Sequence, residues 1–420
     1  MTPSTTWRPW SLRGTVNDLS AGRTTPDDVL ARAFDRIGAT EPTLRAWVEV
    51  DEAARASGTG PLQGVPLGVK DIIDLAGFPT RCGSRLRADA APAAADAAIV
   101  TSWRAAGATA LGKTVTTEFA FFAPGPTRNP AAPDHTPGGS SSGSAAAVAS
   151  GQLPLAIGSQ TAGSVTRPAA YCGVASLVMT HGRLPLDGVV GLSPSLDSHG
   201  CYAATVDDLA LAWSALTGEP DAGRERGAPP RLLLWTARGL GDLDPAMETA
   251  LAGTVERLRS SGATVDLLPV EELVAGAAGA QVSVMRYEAA RERAEELSLA
   301  EQLSDPLAGL LRAGAATPVQ EYDAARALVS AARDRVLDLL EGHDAVIGPA
   351  ALGAAPAGLA ATGDPLLSRP WQAMGLPAVA VPGLRDDQGL PLGLQVVGPA
   401  GGETRALAAG CWVERALRAS

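Results

Sequence analysis

Two lysines stand apart among the basic side chains. Of 34 Lys and Arg residues, Lys70 and Lys113 alone are lysines and the rest are arginines. A guanidinium stays charged at every working pH, whereas an amine can be neutralised by burial and then act as a base. A lysine kept where arginine otherwise serves is therefore a candidate for acid–base chemistry; the plain alternative is codon bias. Nearby segments are rich in hydroxyls. Gly64-Val-Pro-Leu-Gly-Val-Lys70-Asp71 is a short apolar run that ends in a lysine. Thr136-Pro-Gly-Gly-Ser140-Ser-Ser-Gly-Ser144 is a serine-rich loop opening a helix, and Gly158-Ser-Gln-Thr-Ala-Gly-Ser164 is a second small-residue loop after a strand. A serine hydroxyl is a weak nucleophile until a base lies within hydrogen-bond reach.

Two shorter patterns suggest other chemistries. Gly107-Ala-Thr-Ala-Leu-Gly112-Lys113-Thr114 matches the phosphate-loop pattern, but such a loop must follow a strand and open a helix. Here a helix precedes the motif and a strand lies inside it, so Gly107 reads as a helix stop and Lys113 as a residue just beyond a strand. Gly139-Ser-Ser141-Ser-Gly143 matches the serine elbow of an esterase. That elbow needs a strand directly before it and a downstream histidine. The preceding residues are loop, and His181, His199 and His343, like His135 upstream, read as loop or surface residues.

The elements that must position these groups follow from periodicity. Residues 26–37 form an amphipathic helix, with Thr25 as cap and Pro26 at the first helical position. Residues 97–106 form another, stopped by Gly107. Thr109–Leu111 reads as a buried strand, 122–144 as loop, 144–150 as a small-residue helix stopped by Gly151, 153–157 as a strand and 158–164 as loop. At about 1.5 Å per helical residue and about 3.3 Å per strand residue, that helix and strand cover similar distances, so the two loops can meet. Further on, Thr205 and Asp208 make a capping box before a helix at 209–216. Residues 232–235, 245–260 and 265–268 read as strand, helix, strand. Long helices are predicted at 281–303 and 318–341, the second with Thr317 as cap and Pro318 at its first position. Strands at 346–348, 378–381 and 392–397 and a helix at 403–418 close the chain. The alternation predicts an α/β fold around a central mixed β-sheet flanked by helices on both faces.

The three hydroxyl and lysine segments together resemble the amidase signature family, which includes bacterial amidases, fatty acid amide hydrolase and the amidase subunit of tRNA-dependent amidotransferases. The likeness starts near Leu19 and runs through Pro168-Ala-Ala-Tyr-Cys-Gly-Val174 and Ser193-Pro-Ser-Leu-Asp-Ser-His-Gly200. It returns at Gly375-Leu-Pro-Ala and Gly389-Leu-Pro-Leu-Gly-Leu-Gln-Val-Val-Gly-Pro. It thus spans residues 1–420 as a single large domain, and is weakest at 218–343, a divergent stretch expected to build part of the substrate pocket. The resemblance implies a Ser–Ser–Lys triad: Ser164 as nucleophile, Ser140 as the bridging serine after a cis peptide bond, and Lys70 as base. The backbone N–H groups of Thr161, Ala162, Gly163 and Ser164 would form the oxyanion hole, with Gly138, Gly139, Ser141 and Gln160 in support. The physical chemistry agrees. Lowering a lysine pKa from about 10.4 to about 7–8 takes roughly 4 kcal/mol, which desolvation by Val65, Leu67, Val69, Ile72 and Ile73 can supply. Gln160 and Ala162 stand where many members carry Asp and Gly, Arg167 follows Thr166 rather than lying closer to Ser164, and Ser176-Leu-Val-Met179 replaces Gly-Leu-Lys-Pro.

The implied activity is hydrolysis of a carbonyl C–N bond, in an amide or a carbamate (urethane), through an acyl-enzyme and with neither cofactor nor metal. The alternatives are a degenerate scaffold, a GxSxG esterase, a nucleotide-binding protein and the amidase half of an amidotransferase. Composition narrows the partners. A net charge of −11 argues against nucleic acid. The scattered Cys82, Cys172, Cys201 and Cys411 argue against a disulfide framework or zinc site and for a reducing, cytoplasmic setting. The first residues lack the apolar core of a secretory signal, and the uncharged stretch 345–363 is broken by proline and glycine, so no membrane partner is expected. The 47 glycines and 32 prolines among 420 residues fall short of the roughly 25–30% that marks low complexity. A monomer or homodimer acting on a small molecule and water is expected.

Overall fold

The computed structural model describes residues 8–56, 59–224 and 227–418; the opening residues 1–7, part of the signal-sequence reading, lie outside it. One mixed sheet organises the described chain. Its strands are β1 (Trp47–Val50), β2 (Pro66–Lys70), β3 (Thr109–Thr114), β4 (Leu155–Gln160), β5 (Ala175–Val178), β6 (Ser198–Ala203), β7 (Arg231–Leu234), β8 (Thr264–Leu267), β9 (Ala345–Pro349), β10 (Ala378–Arg385) and β11 (Pro391–Val397). They lie in the order β1-β3-β2-β4-β6-β5-β10-β11-β9-β7-β8. β3, β2 and β4 run parallel, as do β8, β7 and β9, while the middle of the sheet is antiparallel.

Helices cover both faces, as predicted. Val379 of β10 pairs with Val396 of β11, so the two share a face. A Cβ on Gly410, in the Glu403–Arg418 helix, would lie 3.2 Å from Val379. Gly393, three residues before Val396, points to the other face, where its Cβ would meet Ala170 of the Thr166–Cys172 helix at 2.4 Å. The strand–helix–strand unit is also present: β7 and β8 pair in parallel around the Pro245–Ser260 helix.

The serine-rich loop opens the Ser142–Ala149 helix, in which every residue is buried. Small side chains are needed there. A Cβ on Gly143 would sit 2.2 Å from the Ala46 carbonyl oxygen and 2.3 Å from the Val115 nitrogen. The Ser144 hydroxyl donates to the Ile157 carbonyl at 2.8 Å and lies 2.7 Å from the Thr114 hydroxyl, tying this helix to β4 and β3. Thr25 caps the Pro26–Leu44 helix in a full capping box with Asp28, and Gly107 leaves the Ala98–Ala105 helix at φ +94°.

Several boundaries differ from expectation, each for a physical reason. The 26–37 helix continues to Leu44, because burial of Thr40 and Leu44 in its last turns outweighs the one N–H bond, to Gly38, that Pro42 removes. β3 runs through Gly112 and Lys113 to Thr114, so Lys113 lies inside a strand rather than beyond it. Its amine is fully buried, 3.1 Å from Asp71 and 2.9 Å from the Thr80 hydroxyl. A lysine held there by a carboxylate cannot reach a phosphate, and no glycine-rich loop opens a helix behind it. β4 extends to Gln160 and shortens the second loop to Thr161–Ser164. The helix expected at 281–303 spans Glu271–Glu292, since burial of Ala277, Ala278 and Ala280 outweighs the low helix propensity of Gly276 and Gly279. A separate Asp305–Ala316 helix follows it. Thr317 does not cap the Val319–Leu340 helix. Its hydroxyl bonds back to Ala313, and Pro318 takes the cap position. Thr205 caps its helix, but Asp208 spends its carboxylate on Ser11 and the Arg13 N–H rather than completing the box. His199 is neither loop nor surface: it lies in β6, 2% exposed, with Nε2 2.7 Å from the Pro185 carbonyl oxygen. Cys82, Cys172, Cys201 and Cys411 are buried free thiols. Among the described residues no helix is long and apolar enough to cross a membrane.

Candidate active site

β2 and β4 run parallel and end side by side, and the C-terminal ends of such strands are where open α/β sheets place their ligands. Lys70 is the last residue of β2 and is 0% exposed. Its amine lies 2.7 Å from Ser140 Oγ, 2.9 Å from Ser159 Oγ and 3.2 Å from the Ser159 carbonyl oxygen. Burial drives its pKa down to about 7, against the opposing pull of Asp197 and, more weakly, Cys82. The predicted desolvating flanks Val65, Leu67, Val69, Ile72 and Ile73 are all buried. Both lysines of the chain are thus interior, and they differ in company: Lys113 has a carboxylate in contact, Lys70 has hydroxyls.

The two loops meet. The Ser141 N–H donates to the Ser164 carbonyl at 3.3 Å, and Ser140 and Ser164 line one pocket together with Thr161, Ala162 and Gly163. The Gly139–Ser140 peptide is cis. The Gly139 carbonyl receives Arg167 Nη2 at 2.5 Å, and the Ser140 carbonyl receives the Thr117 N–H at 3.2 Å. Gly138 sits at φ +82°, and a Cβ there would approach the Pro168 Cα to 2.9 Å, so only glycine fits. Ser141 occupies the cap position of its helix without capping it. Its hydroxyl instead faces Ser159, 3.3 Å from the carbonyl oxygen and 3.4 Å from the nitrogen. With loop before it and this hydroxyl bound to backbone, the esterase elbow is absent.

Ser164 follows the end of β4 and precedes the Thr166–Cys172 helix. Its carbonyl is also held by the Tyr202 hydroxyl at 3.2 Å, while its own hydroxyl has no hydrogen-bond partner among the described residues. The backbone N–H groups of Thr161, Ala162, Gly163 and Ser164 likewise meet no acceptor among the described residues. The next two, of Val165 and Thr166, are taken by Gln160 Oε1 at 2.9 and 3.0 Å. More than nine in ten buried N–H groups in proteins are paired, so four successive free donors beside a pocket mark a place for an anionic or carbonyl oxygen.

Sequence reasoning missed the side chains that hold this donor loop. The Thr161 hydroxyl donates to Asp197 at 2.5 Å, and the other Asp197 oxygen receives the N–H groups of Leu192 and Ser193 at 2.7 and 3.0 Å. Burial raises the Asp197 pKa, while Thr161 and those N–H groups pull it back. Gln281 Nε2 donates to the Thr161 carbonyl at 3.0 Å, and Gln160 and Gln372 bond through their side chains at 2.9 Å. Asp197 falls within the Ser193–Gly200 segment already singled out, but its type alone assigned it nothing. Gln281 and Gln372 carried no signal, being 120 and 212 residues from their partners.

A buried lysine, two serines from separate loops and a row of free backbone donors, set at the end of a mixed α/β sheet, are the parts of a serine hydrolase. Comparison with known proteins gives the particular kind. The family model described as Amidase matches residues 29–407, and the chain belongs to that family. It is 33% identical over 443 residues to AtzE, the 1-carboxybiuret hydrolase subunit of Pseudomonas sp. (strain ADP), covering 94% of this chain and 96% of that one. It is 32% identical over 454 residues to a glutamyl-tRNA(Gln) amidotransferase subunit of Synechococcus sp. (strain RCC307), covering 93% of each. A crystal structure of an amidase superposes with a TM-score of 0.87 at 31% identity over 97% of this chain and 99% of that one. The protein is an amidase that hydrolyses carbonyl C–N bonds outside ordinary peptide linkages.

Proposed function

We propose that Ser164 is the nucleophile, Ser140 the proton relay and Lys70 the base, with Thr161–Ser164 as the oxyanion hole. The observation that carries this reading is the fully buried amine 2.7 Å from Ser140 Oγ. At a pKa of about 7 a useful fraction of Lys70 is neutral at physiological pH. A neutral amine has two N–H donors and a lone pair; with the donors spent on the Ser159 carbonyl and hydroxyl, the lone pair is left to take the proton of Ser140, 2.7 Å away. The Ser140 oxygen is then free to accept the proton of Ser164. Ser164 Oγ bonds to the substrate carbonyl carbon, its proton passes to Ser140, and the Ser140 proton passes to Lys70. The electron pair displaced onto the carbonyl oxygen is held by the four N–H groups. Collapse expels the amine, which takes a proton back from Lys70 through Ser140. Water repeats the sequence on the acyl-serine and releases the acid. A carbamate or urethane presents a similar carbonyl to the same serine.

The test is the covalent intermediate. When the chain alone is mixed with a p-nitroanilide and quenched in acid within milliseconds, the peptide bearing Ser164 is expected to gain the acyl mass. Acyl mass on Ser141, or on no serine during turnover, would overturn the assignment. The likeness to amidotransferase subunits supports a second reading, as one component of a larger assembly, and turnover by the isolated chain speaks against it.

Asp197 is expected to matter through its neighbours. Its negative charge favours the protonated form of Lys70, so Asp197→Asn removes that pull and should move the lower inflection of the kcat/KM pH profile toward acid. A hydrogen bond to a charged group contributes about 1.5–3 kcal/mol, so loosening the donor loop should also lower kcat roughly 10- to 150-fold. An inflection that stays put or moves toward alkali would contradict this role.

A further inference from the structure

The pocket beside Ser164 has one polar and one apolar side. The polar side is Ser140 and the Thr161–Ser164 loop; the apolar side is Phe121, Phe122, Leu192, Met285 and Pro365. Arg167 is the one charged side chain in that lining among the described residues, and it is already engaged. It is 3% exposed and donates to the Gly139 and Gly363 carbonyls at 2.5 and 2.9 Å and to the Thr362 hydroxyl at 3.4 Å. Among the described residues no carboxylate lines the pocket to receive an ammonium, and the one guanidinium nitrogen without a partner, Nε, is itself shut off from solvent.

We infer that this pocket selects uncharged amides or carbamates carrying a hydrocarbon or aryl group, received between the Phe121–Phe122 pair and Met285. This rests on the amidase reading above. With the Thr161–Ser164 donors taken by the reacting carbonyl oxygen, a carboxylate or ammonium elsewhere on the substrate would lose its hydration without gaining a partner. An apolar group gains by removal from water. Phe121 and Phe122 meet edge to face, with centroids 4.8 Å apart and planes at 86°, a packing that aromatic rings favour.

The walls must give way to admit such a group. The free volume is about 20 Å³, enough for about one water. The parts suited to moving are the ones that line it. Both phenylalanine rings are only half buried. Ala120 and Phe122 have φ of +60° and +37°, a left-handed conformation that is strained for a non-glycine residue. Relaxing one of them on binding would relieve part of that strain. Met285 is long, unbranched and readily repacked, and it stands one helical turn from Gln281, which holds the donor loop through the Thr161 carbonyl. Selection and catalysis therefore share one helix, Glu271–Glu292.

The test uses acyl p-nitroanilides with one leaving group and one chain length: valeryl (neutral), glutaryl (anionic) and 4-aminobutyryl (cationic). The valeryl compound is expected to exceed both others in kcat/KM by at least 100-fold, and to protect Ser164 from a fluorophosphonate label where they do not. Met285→Arg, which adds a counter-charge to the apolar wall, is expected to narrow the valeryl-to-glutaryl ratio at least tenfold. Discrimination below tenfold, or a ratio unmoved by Met285→Arg, would overturn the inference. Labelling of Ser164 separates the two levels: a labelled enzyme that ignores charge refutes the pocket reading alone, and an enzyme that takes no label at Ser164 refutes the nucleophile beneath it.

Discussion

Ser164→Ala is expected to lower kcat for an aryl amide by about 10⁴- to 10⁶-fold and to leave the fold unchanged. The structural neighbours of Ser164 hold its backbone rather than its side chain: Ser141 N–H and the Tyr202 hydroxyl both bond to its carbonyl oxygen. Removing the hydroxyl therefore breaks no hydrogen bond of the described structure. The donors at Thr161–Ser164 survive in the variant, so a residual rate above that in water should persist, as it does when a nucleophile is deleted from an otherwise intact oxyanion hole. Groups that act as one unit are not additive, so Ser140→Ala/Ser164→Ala should be little slower than Ser164→Ala alone. More than a tenth of the activity left in Ser164→Ala would remove this serine from the reaction, and a thermal midpoint lowered by more than a few degrees would show a structural role instead.

Lys70 gives the second large effect, with a signature in pH. Both Lys70→Met and Lys70→Arg are expected to lower kcat by about 10⁴-fold or more, the arginine because a guanidinium cannot surrender its proton at working pH. With Lys70 as the proposed base, only its neutral form would act, so kcat/KM should rise with pH through an inflection near the Lys70 pKa of about 7. Stability must carry the same titration. The folded-state pKa lies below the unfolded value of about 10.5, so between those values the unfolded chain binds the extra proton and stability rises with pH, by up to about 1.4 kcal/mol per unit. Below pH 7 both states are protonated and the slope vanishes. The unfolding free energy of the native protein minus that of Lys70→Met should thus be flat below about pH 7 and climb from there toward about pH 10.5. A flat difference across the whole range would mean that Lys70 is charged in the folded protein.

What could be read from sequence was what rests on residue type and local spacing. The contrast between two lysines and the remaining arginines picked out two interior amines, of which Lys113 proved to be the partner of Asp71. The helix-out, strand-back geometry brought the loops of Ser140 and Ser164 together, as the Ser141–Ser164 hydrogen bond records. The losses came where distant packing overruled local preference. A helix is expected only from residue 281, yet Glu271–Glu292 starts earlier and runs through Gly276 and Gly279 because its alanines are buried. Asp208 looked like half of a capping box until Ser11 and Arg13, far away in the chain, claimed its carboxylate. Thr161, Asp197, Gln281 and Gln372 make a network whose members are ordinary polar residues taken singly, and only the fold gives them a shared purpose.

The seat of Lys70 at the end of a strand walled by valine and isoleucine makes the working pH of the enzyme a property of its whole interior. Dryness, not a neighbouring cation, is what lowers the pKa of that amine to about 7. A core substitution far from the serines that let water seep toward β2 would allow the proton back on, and neutral-pH turnover would fade while the protein stayed folded and the alkaline rate held. Activity at pH 7 relative to pH 9 is therefore a gauge of how tightly the molecule is sealed, and it should register slackening well before any melting curve does.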